Sequence, residues 1–223
     1  MQRVLDIILC SLALFTLTPI LLLIIIILRL SGEGEVLYRQ VRVGKNYCDF
    51  FVLKFATMQK NSPNIGTGTI TLKNDPRVLP FGRILRKTKL NEIPQLFNVL
   101  KGDMSLIGPR PQTHRCFNSF DRHSQQIIST VRPGLSGIGS IIFRDEELML
   151  DLAHNSIHFY DNIVAPYKGM LEQWYVRKKG TKIYCYLIFL TIVCVMNPSS
   201  SLAWKLFSDL PKPPNELINY FDI

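Results

Sequence analysis

An uncharged apolar run from Ile7 to Leu28, close to the N-terminus, constrains this chain more than any other feature. At about 1.5 Å per residue, an unbroken helix of this length would reach roughly 33 Å, enough to cross the hydrocarbon core of a bilayer. Arg29 follows the run directly and no small-residue cleavage site comes after it, so a cleaved signal peptide is not expected. The run predicts a membrane-embedded segment at residues 1–30.

Thr18 and Pro19 lie in the middle of this run and leave two structures open. A proline removes one backbone hydrogen bond and bends a helix, and a nearby threonine hydroxyl can bond to a freed carbonyl. The segment is then either a kinked helix that spans the bilayer or a re-entrant hairpin that returns to the same side. Basic residues flank both ends, with Arg3 before the run and Arg29 after it, and positive charge prefers the cytoplasmic side. In either structure the bulk of the chain lies on that side.

The rest of the chain predicts an α+β fold that is mostly helical, with a small β element. Stretches rich in β-branched and aromatic residues predict short strands at Val36–Gln40 and Tyr47–Phe55. Apolar spacing predicts helices at Val78–Lys89, at Glu92–Lys101 with Gly102 ending it, and over residues 145–176.

A second apolar run, Ile183–Met196, is too short to cross a bilayer comfortably and predicts an interfacial or core helix. Basic residues just before it suit anionic membrane lipids. The tail beyond Asn197 is rich in proline and is expected to be extended. We therefore divide the chain into the membrane segment 1–30, a cytosolic-face domain 31–196 and a tail 197–223.

The charge distribution narrows the class of ligand. The chain carries 26 Lys and Arg against 17 Asp and Glu, a formal net charge of +9. Between Arg77 and Arg115 eight residues are basic, and Glu92 and Asp103 alone are acidic. Such a balance is typical of proteins that bind nucleic acid, anionic membranes or phosphorylated substrates. No aromatic residue is interleaved with the basic ones over residues 82–92, so nucleic acid is not an expected partner.

The densest motif occupies residues 86–111 and reads Arg86-Lys-Thr-Lys-Leu-Asn91-Glu92-Ile-Pro-Gln95-Leu-Phe-Asn98-Val-Leu-Lys-Gly102-Asp103-Met104-Ser105-Leu-Ile-Gly108-Pro109-Arg110-Pro111. It resembles the bacterial sugar transferase family, the monotopic phosphoglycosyl transferases. That family usually reads Leu-Asp-Glu-Leu-Pro-Gln-Leu, then Asn-Val-Leu, Gly-Asp-Met-Ser and Gly-Pro-Arg-Pro. The resemblance covers residue 1 to about residue 195 and includes Tyr38-Arg39-Gln40-x-Arg42-x-Gly44, Lys54-Phe55, Thr57-Met58 and Val131-Arg132-Pro133-Gly134.

The resemblance implies a reaction in which a UDP-sugar gives its sugar 1-phosphate to a polyprenol phosphate and UMP is released. This would be the first membrane step of surface glycan assembly. The resemblance also implies a re-entrant break at Thr18 and Pro19, a magnesium ion, and a place at the cytosolic face of the bacterial inner membrane. A homo-oligomer is left open.

The same resemblance suggests roles for individual residues. Arginine pairs with two phosphate oxygens at once, so Arg86 and Arg110 are expected to bind substrate phosphate. Lys54 is a further candidate for this role, and Arg132 is a weaker one. The nucleotide is expected at Pro109, Arg110 and Pro111. Magnesium usually takes one or two carboxylates plus substrate phosphate oxygens, so Glu92 is the expected metal ligand and catalytic carboxylate. Asp103 either supports Glu92 or caps the turn around Gly102.

Asn91 departs from the family, which usually places at this position an aspartate that acts as the nucleophile. An amide does not form an acyl phosphate. Asn and Asp cap a helix start about equally well, so Asn91 is expected to keep the cap of the helix that follows while the nucleophile is lost. Three readings follow: the lipid phosphate attacks directly, another carboxylate substitutes, or the chain is a catalytically impaired membrane scaffold. Substitutes are Asp103 and the Asp145-Glu146-Glu147 group.

Two further departures concern substrate contacts. Ala56 stands where the family commonly has a basic residue. After Arg132-Pro133-Gly134 the family often continues with Trp-Ala-Gln, but this chain has Ile138-Gly139-Ser140 followed by Phe143-Arg144-Asp145-Glu146. That region is expected to contact the sugar, so the identity of the sugar does not carry over.

Overall fold

The computed structural model describes residues 1–65, 75–196 and 201–221 of the chain. The helices are α1 (Gln2–Leu30), α2 (Pro80–Lys87), α3 (Gln95–Lys101), α4 (His114–Asn118), α5 (Arg122–Ile128), α6 (Ile138–Ile142), α7 (Glu146–Leu152), α8 (Ser156–Phe159), α9 (Ala165–Lys178), α10 (Thr181–Met196), α11 (Ser201–Leu206) and α12 (Asn215–Ile218). The strands are β1 (Leu37–Val43), β2 (Asp49–Phe55), β3 (Ser105–Ile107) and β4 (Gly134–Ser136). The predicted α+β class, mostly helical with a small β element, is confirmed.

Helix α1 is the one described helix that is long and apolar enough to cross a membrane. Asp6 and Cys10 near its start and Ile24 and Leu28 near its end are buried, while most of its other side chains are exposed. A helix in the core of a soluble protein would be mostly buried, so the exposed apolar surface of α1 suits lipid. Both its first turns and its last turn pack on the same domain, the arrangement expected if both ends lie on one side of a bilayer.

The helix continues through Pro19 rather than dividing into two assigned helices. Pro19 cannot bond to the carbonyl of Phe15, four residues earlier. The Thr18 hydroxyl donates instead to the Leu14 carbonyl, at 2.7 Å. Thr18 therefore supports the preceding turn and not the freed carbonyl itself, and the re-entrant hairpin stays a prediction.

A buried carboxylate fastens the start of α1 to the domain. Asp6 is 2% exposed and accepts hydrogen bonds from the Ser105 hydroxyl at 2.9 Å, the Leu106 N–H at 2.9 Å and the Tyr184 hydroxyl at 2.6 Å. Arg3 donates to the carbonyls of Val99 and Leu100, at 2.5 and 2.8 Å, where α3 is ending. The membrane segment is thereby joined to α3, β3 and α10.

Two small sheets carry the loops of the functional region. Strands β1 and β2 pair antiparallel, in a register that sets Leu37 opposite Phe55 and Val43 opposite Asp49. Strand β1 is longer than predicted, and β2 begins later because residues 45–47 form a 3-10 turn in which Asn46 and Tyr47 have positive φ. Strands β3 and β4 pair in parallel.

The predicted helix at Glu92–Lys101 begins later, at Gln95. Lys89 has a φ of 59°, in the left-handed region, and a 3-10 turn over Leu90–Glu92 follows it. Pro94 then precedes α3, and Gly102 ends α3 with a φ of 100°, as predicted. Glu92 therefore lies in a tight turn before α3 and not within the helix.

The tail is folded, so the prediction of an extended tail is wrong over residues 201–221. Helices α11 and α12 lie there, and Phe207, Leu210, Leu217 and Phe221 are buried in the main core with residues of α9 and α10. Apolar side chains spaced between the prolines explain the difference, because their burial offsets the cost of ordering the tail. Pro198 lies outside the described residues.

Helix α10 (Thr181–Met196) has the two-sided burial expected of an interfacial helix. Tyr184, Leu187, Leu190 and Cys194 face the core, whereas Tyr186, Phe189, Ile192 and Val195 are exposed. The exposed row is apolar, so it suits contact with lipid better than contact with water.

Replacing Asp6 with alanine would leave the Ser105, Leu106 and Tyr184 donors without their shared acceptor. We expect Asp6→Ala to lower the free energy of unfolding in detergent by about 3 kcal/mol or more, because several buried donors lose a charged partner. Leu12→Ala, at an exposed position of the same helix, should change it little. Chemical unfolding of both variants in one detergent checks this, and equal stabilities would contradict the anchoring role of Asp6.

Candidate active site

A cavity of about 1110 Å³ lies between the end of α1, the β1–β2 hairpin, α2 and α7. Of the described residues, eleven Lys or Arg line it against seven Asp or Glu. Leu28, in the last turn of α1, belongs to its wall, so the cavity reaches the C-terminal end of this apolar helix. Five of the predicted site residues line it together: Lys54, Arg86, Asn91, Glu92 and Arg110.

Lys54, Glu92 and Arg110 form the Glu92 cluster. The Lys54 ammonium lies 3.3 Å and the Arg110 guanidinium 2.7 Å from the same oxygen, Oε1 of Glu92. Burial favours a raised pKa of Glu92, but the charges of Arg110 and Lys54 outweigh it and hold that pKa well below its usual range. Burial lowers the pKa of Lys54 to about 8, against the pull of Glu92. All three groups are charged at neutral pH, and the cluster keeps one positive charge in excess.

Three separate pieces of backbone bring the cluster together. Lys54 is near the end of β2, Glu92 ends the 3-10 turn before α3, and Arg110 lies in the loop after β3. That loop is held against β4, where a Cβ on Gly134 would lie 2.1 Å from the backbone nitrogen of Gly108. Glycine is therefore required at position 134, where the two backbone segments approach so closely.

Helix α7 supplies the opposite wall of the cavity. Its Glu147 forms an ion pair with Arg86 of α2, and its Glu146 accepts from the Lys168 ammonium of α9 at 2.6 Å. The Lys168 side chain is 2% exposed. The Asp145-Glu146-Glu147 group thus faces the same space as the Glu92 cluster, and two of its three carboxylates already have cationic partners.

Asn91 is 6% exposed and lines the cavity beside Glu92. Its Oδ1 is buried and accepts no hydrogen bond from the described residues. Pro94 occupies the cap position of α3 and no side chain caps that helix, so the prediction that Asn91 caps it is wrong. The physical reason is the 3-10 turn, which places Asn91 too far ahead of the helix start. A capping preference therefore does not explain the asparagine.

The structure does not bring every predicted residue into the cavity. Asp103 accepts from the Lys101 ammonium at 3.1 Å, and Arg132 donates to the Gly102 carbonyl at 2.7 Å, so both lie at the turn that ends α3. Neither lines the cavity. Gly102 has a left-handed backbone and turns the chain into β3, which explains why Asp103 diverges from Glu92.

Pro109 and Pro111 do not line the cavity either. The Pro109 carbonyl accepts from the Gly134 N–H at 2.8 Å, and the Pro111 carbonyl accepts from the Arg42 guanidinium at 3.1 Å. Their rings restrict the backbone on each side of Arg110. Of the predicted nucleotide-binding triplet, Arg110 alone lines the cavity, and the two prolines hold its loop.

Four cavity or near-cavity residues were missed as site residues: Arg42, Tyr160, Lys168 and Glu172. Burial lowers the pKa of Arg42 to about 10, with Arg110 adding to the effect. Tyr160 begins a π-helical turn, a feature often found at functional sites. A signal for two of them was present, since Lys168 and Glu172 are four residues apart on the buried face of α9. A charged pair on a buried helix face is uncommon without a specific role.

The described residues contain no group of three or more His, Cys, Asp or Glu side chains placed to hold a metal. Lys54 and Arg110 both contact Oε1 of Glu92, and no described residue bonds to its Oε2. Magnesium commonly binds one or two carboxylates and completes its shell with water and substrate phosphate. Glu92 therefore has a carboxylate oxygen that fits one position in the shell of a magnesium ion.

Comparison with known proteins identifies the family. A sequence model of the bacterial sugar transferase family matches residues 1–198. The chain belongs to the bacterial sugar transferase family, and the predicted resemblance is confirmed.

Three relatives show how far the similarity extends. The UDP-N-acetylgalactosamine-undecaprenyl-phosphate N-acetylgalactosaminephosphotransferase of Aeromonas hydrophila is 38% identical over 143 residues, covering 63% of this chain and 34% of the relative. The exopolysaccharide production protein ExoY of Sinorhizobium fredii is 31% identical over 175 residues, covering 72% of this chain and 77% of the relative. The undecaprenyl-phosphate glucose phosphotransferase of Komagataeibacter xylinus is 34% identical over 168 residues, covering 69% and 32%. The matched regions span about a third of the first and third relatives.

Arg110 lines the cavity and Arg132 lies outside it, so these two arginines allow a matched test of phosphate binding. Arg110→Met removes a charge-assisted contact of about 1.5–3 kcal/mol, so we expect UDP to bind roughly 10- to 150-fold more weakly. Arg132→Met, outside the cavity, should change the affinity less than about twofold. Isothermal titration of UDP with magnesium measures both, and an equal loss in the two variants would show that the cavity is not the phosphate site.

Proposed function

We propose that the protein transfers a sugar 1-phosphate from a UDP-sugar to a polyprenol phosphate and so begins the assembly of a surface glycan. One observation carries the proposal: the Glu92 cluster lies in a cationic cavity whose wall includes the last turn of the exposed apolar helix α1. Both substrates are phosphates, and one of them has a lipid tail. An enzyme for this reaction needs cations close to the bilayer surface, and a cationic cavity at the end of a helix that lies in lipid would supply them.

The same geometry supports a membrane placement. Helix α1 exposes apolar side chains around most of its surface, and α10 exposes an apolar row. With these two surfaces in lipid and both ends of α1 on the cytosolic face of the inner membrane, the cavity lies at the headgroup level. Basic residues at the start of α10 and before it face anionic lipids there: Arg177, Lys178, Lys179 and Lys182.

The chemistry is a displacement at the β-phosphorus of the UDP-sugar. An oxygen of the lipid phosphate forms the new bond to that phosphorus, and the bond to the bridging oxygen breaks, so that UMP leaves with the electron pair. Arg110, Lys54 and Arg86 neutralise the charge that two approaching phosphates bring. Glu92 holds its two cations in place and would hold a magnesium ion, which would supply further charge neutralisation at the diphosphate.

Asn91 makes direct attack by the lipid phosphate the preferred route. An amide at this position cannot form the covalent phosphosugar intermediate that an aspartate would form. Of the possible substitutes, Asp103 lies away from the cavity, whereas Asp145, Glu146 and Glu147 line it. A catalytically impaired scaffold is the second candidate function. The observation that favours it is the buried Oδ1 of Asn91 beside Glu92, which has no hydrogen-bond partner among the described residues.

Glu92→Gln tests whether the cluster is catalytic. Removing the carboxylate charge frees Lys54 and Arg110 from their positions and removes the metal ligand, so we expect transfer to fall about a hundredfold or more. The assay follows radiolabelled sugar phosphate from UDP-sugars into polyprenol phosphate with magnesium present. Glu35→Gln is the matched control, because Glu35 also lines the cavity but pairs with the exposed Lys60. Full activity of Glu92→Gln in a folded protein would remove Glu92 from the site.

The variant Asn91→Asp separates direct attack by the lipid phosphate from a covalent route through residue 91. Incubated with UDP-sugar but no lipid acceptor, the wild type should carry no protein-bound phosphosugar while still turning over when acceptor is added. Asn91→Asp should form such an adduct, detected by intact-protein mass spectrometry. An adduct on the wild type would show a substitute nucleophile. If Asn91→Asp transfers sugar phosphate while the wild type transfers it from no UDP-sugar tested, the scaffold function is supported.

A further inference from the structure

A buried carboxylate lies behind the candidate active site and takes no direct part in it. Glu172 of α9 is 1% exposed and is not among the residues that line the cavity. Its Oε1 accepts a hydrogen bond from the backbone N–H of Arg110 at 3.3 Å, and its Oε2 has no hydrogen-bond partner among the described residues. Burying a carboxylate with so few partners costs stability, so its presence needs a reason.

The surroundings of Glu172 are shaped around this contact. Tyr175, on the same face of α9, donates to the Ile107 carbonyl at 3.1 Å, so α9 contacts β3 and the Arg110 loop at two points. From the other side, Gly139 of α6 lies so close that a Cβ there would be 2.4 Å from Oε1 of Glu172. A side chain at position 139 would push the carboxylate off the Arg110 N–H.

We infer that Glu172 is a positioning residue: through the backbone N–H of Arg110 it fixes the loop from which that guanidinium reaches Glu92. The inference rests on the proposed function for its effect on activity, but its structural part does not. Two prolines already restrict the loop on either side of Arg110. Glu172 adds a hydrogen bond from α9 to this loop, beside the contact of Tyr175 with Ile107.

The charges around Glu172 make this contact sensitive to pH. Burial raises the pKa of Glu172 to about 7, while Lys168 on α9 and Arg110 in the loop oppose that rise. Tyr175 also lies near, and Glu146 of α7 pairs with Lys168. A carboxylate accepts a hydrogen bond more strongly than the protonated acid. The Arg110 loop should therefore be held more firmly as the pH rises through 7.

Hydrogen exchange tests the contact directly. Because Pro109 and Pro111 lack amide hydrogens, the Arg110 N–H is the sole exchangeable backbone hydrogen over residues 109–111. We expect Glu172→Ala to speed its exchange about tenfold, and Glu172→Gln to speed it less, since the amide oxygen still accepts. Gly139→Ala should resemble Glu172→Ala and add little to it in the double variant. Glu216→Ala, an exposed glutamate of α12, serves as the control.

Activity gives the second readout. We expect Glu172→Ala to lower kcat/KM about 10- to 100-fold through the misplaced guanidinium. The wild type should show a rise in activity through pH 7 that Glu172→Gln lacks, whereas a purely structural role would leave the shape of the pH profile unchanged. Unchanged exchange of the Arg110 amide in both Glu172→Gln and Gly139→Ala would overturn the inference, even if Glu172→Ala does not fold. Absence of sugar phosphate transfer by the wild type would count against the proposed function. The hydrogen exchange of the Arg110 amide would then decide whether Glu172 positions the loop.

Discussion

The arrangement at the centre of this protein is one carboxylate shared by two cations. Glu92 accepts from Lys54 and Arg110 through a single oxygen, in a cavity where burial alone would favour the neutral acid. The two cations keep it ionised, and it holds them in place in return. Because the three residues come from β2, the turn before α3 and the loop after β3, their pairing also joins three parts of the domain. The Glu92 cluster keeps one positive charge in excess, which an anionic substrate can neutralise.

A second buried carboxylate connects this site to the apolar helix α1. Asp6 links α1 to β3, and β3 leads directly into the loop that carries Arg110. At its other end α1 reaches the cavity wall through Leu28. The helix that we propose to lie in lipid is thus fixed at both ends relative to the site. Such a connection would keep the phosphate of a membrane-bound acceptor and the phosphate of a soluble donor within reach of the same cations.

Much of this was predictable from the sequence, because the signals were local. The apolar run predicted α1, the Gly102 break predicted the end of α3, and the motif around Glu92 and Arg110 indicated two residues that the structure places in contact. The boundaries around Glu92 were not predictable, since a left-handed Lys89 and a 3-10 turn depend on how α2 and α3 pack. The folded tail was missed because its apolar residues are widely spaced and become buried only against other parts of the core, among them α9 and α10. Arg132 and Asp103 lie close to the motif in sequence, but the turn at Gly102 carries them away from the cavity.

The measurement that tests the central claim most directly is the fate of the two phosphates of the donor. A UDP-sugar labelled separately at the α- and β-phosphorus would be incubated with polyprenol phosphate, magnesium and the wild-type protein in lipid nanodiscs. We expect the β-label to enter the lipid fraction and the α-label to appear in UMP, in equal amounts. Both labels remaining together, in unreacted donor or in released UDP, would contradict it.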